Sequence, residues 1–93
     1  MTCGVIPSVI PGGTYTTQIY WAQFSPGQYG LGILGINFEI WGSGQRSCNA
    51  GSDENGYANC EASAGMLPFV EKISVTIRTT IEDCITYLYS SKN

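Results

Sequence analysis

Trp41, Asn37 and Glu39 fall at alternate positions of one segment, so an extended strand carries an indole, an amide and a carboxylate on a single face. Flat aromatic faces beside amides and carboxylates suit sugar rings, which offer C–H groups to the ring and hydroxyls to the polar atoms. The same residue types are enriched in protein contacts, since they bury much area at little rotamer cost. Tyr20 and Gln18 share one face of the preceding candidate strand and are expected to support the contact. The ligand-binding set expected from these patterns is Trp41, Asn37, Glu39, Tyr20 and Gln18. The competing use of Trp41 is as plain core, covered by a second layer of the same protein.

For catalysis the inventory is poor. The chain contains no histidine, which removes Ser-His-Asp and Cys-His nucleophile pairs and histidine-based ribonuclease chemistry. Glu39, Asp53, Glu54, Glu61, Glu71, Glu82 and Asp83 could in pairs hydrolyse glycosides. Such a pair needs a cleft, which a β domain of 93 residues seldom encloses. We therefore expect no enzyme, no catalytic residues and no cofactor. Gly30-Leu31-Gly32-Ile33-Leu34-Gly35 matches the spacing of a dinucleotide-binding loop. That loop needs a strand before it and a helix after it, whereas here the glycines lead from a Pro-Gly turn into a strand. The acidic stretch Asp53-Glu54-Asn55 lacks the alternating carboxylate order of a calcium loop and reads as a solvated turn at Asn55-Gly56.

Four cysteines stand at Cys3, Cys48, Cys60 and Cys84. An even number in a small, weakly charged chain points to two disulfides and an oxidising, extracellular compartment. Three connectivities are open on sequence alone. Cys48–Cys60 with Cys3–Cys84 is favoured, because the first pair flanks a loop and the second ties the two ends together. A four-cysteine zinc site would want C-x-x-C spacing, which is absent, and no metal is expected. Met1-Thr2-Cys3 has no basic region and the apolar stretch Val5–Ile10 is interrupted by Pro7, so these residues do not read as a signal peptide. No N-x-[ST] acceptor occurs.

The elements that must position these residues are strands. Ile and Val together number 14 against 4 Leu, and 8 Thr add to the β-branched population. Pro11-Gly12-Gly13, Ser25-Pro26-Gly27, Gly42-Ser43-Gly44 and Asn55-Gly56 punctuate the chain as turns. Between them lie candidate strands at about 14–24, 31–41 and 69–79. In the second, Leu34, Ile36, Phe38 and Ile40 share the face opposite Trp41. In the third, Phe69, Ile73, Val75 and Ile77 oppose Lys72, Ser74, Thr76 and Arg78. The first is apolar on both faces, with Tyr15, Ile19 and Trp21 opposing Tyr20, Ala22 and Phe24, as in a strand that is doubly buried or faces a partner. Residues 81–91 admit two readings. Ile85, Tyr87 and Tyr89 alternate as in a strand, while Ile81, Cys84, Ile85 and Leu88 are spaced as in a helix behind a Thr80/Asp83 capping box. We expect one all-β domain over residues 1–93, a disulfide-stapled β-sandwich of about five or six strands. An α/β sandwich with a C-terminal helix at 81–91 is the alternative.

The chain is 43% hydrophobic and only 12% charged, with a formal net charge of −3. That balance argues against a nucleic-acid backbone or an anionic membrane as partner. Its longest nearly apolar run, Gly30 to Ile36, is too short to cross a bilayer. In type the chain looks like small secreted toxins, lectins and effectors. The expected function is a secreted, non-enzymatic module that binds a carbohydrate or a protein surface. The competing expectation is a self-assembling subunit of an extracellular filament or shell, a homo-oligomer in which Trp21 and Tyr20 sit in the subunit contact.

Overall fold

A computed structural model describes residues 1–24, 35–40, 46–53, 55–78 and 82–92, with the backbone alone at 35–37, 40 and 46. Eight strands occur among them: β1 (Thr2–Ile6), β2 (Val9–Pro11), β3 (Gln18–Gln23), β4 (Gly35–Ile40), β5 (Arg46–Gly51), β6 (Tyr57–Ala62), β7 (Lys72–Arg78) and β8 (Asp83–Ser91). They form a three-stranded sheet in the order β1-β3-β6 and a five-stranded sheet in the order β2-β8-β7-β4-β5. All pairings are antiparallel except β2 with β8. The chain changes sheets between β1 and β2, where the Ile6–Pro7 bond is cis, and again between β2 and β3, β3 and β4, β5 and β6, and β6 and β7.

Period-2 alternation decides which side of each strand is buried. From the three-stranded sheet, Val5, Tyr20, Ala22, Phe24 and Ala58 point inward. From the five-stranded sheet, Ile10, Phe38, Ile73, Val75, Ile77 and Leu88 meet them. The result is an all-β, disulfide-stapled sandwich, as the alternation of β4 and β7 led us to expect. Cys3–Cys84 ties β1 to β8 and Cys48–Cys60 ties β5 to β6, the favoured pairing. The bridges stand at the two edge strands of the three-stranded sheet, so each edge is fastened covalently to the sheet below it.

The strand reading of the C-terminal segment holds and the helical alternative does not. β8 pairs with β7 along its length, from Lys72 opposite Tyr89 to Arg78 opposite Asp83. Its inner residues Leu88 and Ser90 are buried while Ile85, Tyr87 and Tyr89 face outward. Strand number exceeds the five or six expected because β1, β2, β5 and β6 are short or built from small and polar residues, with little hydrophobic alternation. Phe69 also departs from expectation. It precedes β7, is exposed, and lies against Gly12 and Gly13 instead of joining Ile73 in the core.

Candidate functional site

Two of the expected ligand contacts are withdrawn by burial. Tyr20 and Gln18 are both 0% exposed, because their side of β3 is the one that faces the five-stranded sheet. They can be neither ligand-binding nor interface residues on the outer surface. The amide is tolerated in the core because its bonding groups are used. Gln18 Nε2 donates to Thr16 O at 3.0 Å and to Thr16 Oγ1 at 2.7 Å. Gln18 Oε1 accepts from the Tyr20 hydroxyl at 3.2 Å and from the Ala64 amide at 3.0 Å. Burial pushes the Tyr20 phenol well above its ordinary value.

Trp41 lies outside the described residues. Asn37 is placed by register, opposite Asn49 of β5 and Arg78 of β7. Glu39 is half-buried, and its carboxylate lies 3.5 Å from the Arg78 guanidinium. Asp53 serves the β5–β6 turn: its Oδ1 accepts from the amides of Asn55 at 2.8 Å and Tyr57 at 2.9 Å. Gly56, at φ 78°, supplies the left-handed residue that this turn requires.

The aromatic and polar groups that the structure does bring together lie on the outer face of the three-stranded sheet. Three rungs cross it: Thr2, Gln23 and Tyr57; Gly4, Trp21 and Asn59; Ile6, Ile19 and Glu61. Trp21 occupies the middle. A Cβ built on Gly4 would stand 2.8 Å from Cε2, Cζ2 and Nε1 of Trp21 alike. Contact with three adjoining ring atoms at once places that Cβ out of the ring plane, so the indole packs against the β1 backbone at Gly4. Only glycine at position 4 leaves that space, so the close approach restricts the ring. Tyr57 lies beside it, its ring centroid 6.5 Å away and its plane inclined by 21°.

Polar groups border this pair. Asn59 and Glu61 are exposed on β6, held outward because Ala58, Cys60 and Ala62 take the inner positions of the same strand. Gln23 is half-buried, its Nε2 bonded to Asn55 O at 2.7 Å, which ties it to the β5–β6 turn. Ile6 and Ile19 are exposed at the far rung. Among the described residues this face is a platform of two near-parallel rings with an amide and a carboxylate on one side. It offers stacking area and hydrogen-bonding groups.

The signal for this platform was present in the chain. The alternation that assigned Tyr20 to one face of β3 assigned Trp21 to the other. Tyr57-Ala58-Asn59-Cys60-Glu61-Ala62 alternates polar and small residues along its whole length. What was missing was the glycine at position 4, whose role depends on a pairing between distant strands.

Comparison with known proteins found no matching family model, no matching curated protein and no matching solved structure. The two disulfides are compatible with an extracellular protein.

Proposed function

We propose that the protein is a small, secreted, non-enzymatic binding module that recognises a carbohydrate on the outer face of its three-stranded sheet. One observation carries the reading: the Trp21 indole packs closely on Gly4 beside the near-parallel ring of Tyr57. Rings fixed by the backbone lose little freedom when a ligand covers them, which lowers the entropic cost of binding. Asn59 and Glu61, exposed on the neighbouring strand, are in place to meet hydroxyls at the border of a stacked sugar. An open platform of this shape suits a chain of sugars better than a small molecule, which favours an enclosing pocket. The absence of histidine from the sequence supports the non-enzymatic reading.

A glycan array tests the proposal directly. The wild-type protein should bind a restricted set of glycans. Trp21→Ala and Tyr57→Ala should each weaken that binding by about tenfold or more, the effect of losing a central aromatic anchor. Asn49→Ala, on the opposite sheet, should leave it unchanged. A bound glycan whose affinity survives Trp21→Ala in a folded variant would place the site elsewhere. An array without any bound glycan would remove the carbohydrate reading.

A further inference from the structure

We propose that two copies of this chain pair through the outer face of the five-stranded sheet, in a two-fold contact centred on β8. The outer positions of β8 are Asp83, Ile85, Tyr87 and Tyr89, all exposed. Val9 of β2 stands exposed opposite Tyr89 and widens the apolar strip. Large exposed apolar residues gathered on one sheet face mark a contact surface. The protein is also weakly charged, at 12% of its residues, so little repulsion opposes association.

The distribution of charge along the strip indicates the occupant. At one end Lys72 stands in register with Tyr89, its ammonium 4.2 Å from the centroid of the Tyr87 ring and 5.9 Å from that of Tyr89. That end is cationic and aromatic. At the other end Asp83 stands opposite Arg78, and the Arg78 guanidinium is 3.5 Å from Glu39. Among the described residues there, two carboxylates stand against one guanidinium, which makes that end anionic. Between the two ends lie the uncharged Ile85 and the Tyr87 ring, over which the Lys72 ammonium reaches. A strip with one positive and one negative end is complementary to itself when turned by half a revolution.

Under a two-fold axis through the middle of β8, Tyr87 of one copy covers Ile85 of the other. The Lys72 end of each copy then meets the Asp83 end of its mate. This is an isologous contact, in which the same patch serves both subunits and association closes at the dimer. Two sheets meeting face to face at about 10 Å with strands inclined by roughly 30° are an ordinary packing geometry. The Trp21 platform belongs to the outer face of the other sheet, so both copies keep it open. Such a dimer presents two platforms pointing away from each other. A bivalent arrangement of that kind binds repeating surfaces by avidity.

Light scattering coupled to size exclusion, without any glycan, tests the inference separately from the sugar-binding reading. Wild-type mass should rise toward twice the 10.0 kDa chain mass as concentration enters the high micromolar range. Ile85→Asp and Tyr87→Asp should hold the protein at the monomer mass with an unchanged β-type circular dichroism spectrum. Asp83→Lys should also yield monomer, by setting like charges against Lys72, and the exchanged pair Lys72→Asp with Asp83→Lys should restore the dimer. That restoration does not depend on the aspartate variants folding. A wild-type monomer at every concentration would overturn the proposal. So would a dimer indifferent to Ile85→Asp and Tyr87→Asp, or a charge exchange that fails to restore pairing.

Discussion

Reducing both disulfides should bring the protein close to unfolding at room temperature, and the two bridges should contribute unequally. Cys3–Cys84 closes a separation of 81 residues and Cys48–Cys60 one of 12. On the loop-entropy model the first restricts the unfolded chain by about 4.5 kcal/mol and the second by about 3 kcal/mol. The typical cost of removing one native bridge from a small secreted domain is about 2–5 kcal/mol, against a total stability of about 5–15 kcal/mol. The structural reason is the position of each bridge. The three-stranded sheet has edges at β1 and β6, and each edge is fastened to the larger sheet by one disulfide. Denaturant titration of Cys3→Ser/Cys84→Ser and Cys48→Ser/Cys60→Ser should show the larger loss for the first pair. Equal stability of the reduced and oxidised wild type would contradict the assignment of the bridges as structural supports.

The second large effect is expected from the buried amide. Gln18→Ala removes the acceptor for both the Tyr20 hydroxyl and the Ala64 backbone amide. It also leaves a void between the sheets. Each buried donor left without a partner costs about 1–3 kcal/mol, and the lost volume adds to this. The expected loss is therefore about 3–5 kcal/mol, read as a shift of the denaturant midpoint. Tyr20→Phe keeps the Ala64 bond and the ring packing, and should cost only about 0.5–1.5 kcal/mol. The phenol also links stability to pH. Its value is raised from 10.0 in the folded state by burial, so the folded protein holds this proton more tightly than the unfolded chain. Its contribution is complete below pH 10 and is lost as pH rises beyond it, and Tyr20→Phe should flatten that alkaline decline.

The long apolar strands were legible because their alternation contrasts hydrophobic with polar residues. Ile73, Val75 and Ile77 against Lys72, Ser74, Thr76 and Arg78 left no choice of face, and the structure buries the first set. β3 is different. Tyr20 and Trp21 are both aromatic, so alternation separated the two faces without saying which one was inside. Gln18 then tilted the reading toward the wrong face, because an amide normally signals solvent. The positions of Thr16, Tyr20 and Ala64 together make its burial tolerable, and Ala64 is 46 residues away. Tyr57, Asn59 and Glu61 are not legible as one binding face for a related reason. Their strand buries alanine and cysteine in place of large aliphatic residues, which gives weak hydropathic contrast. The cysteine pairing was accessible from spacing, since one pair brackets a short turn and the other spans nearly the whole chain.

The most direct measurement of the central claim is a two-dimensional amide and indole NMR titration against a glycan identified on the array. The Trp21 indole Nε1–H resonance, assigned by its loss in Trp21→Phe, should move together with the backbone amides of Tyr57, Asn59 and Glu61. The amides of β7 and β8 should stay still. Shifts that gather on β7 and β8, or that spare the Trp21 indole while the glycan binds, would contradict the account.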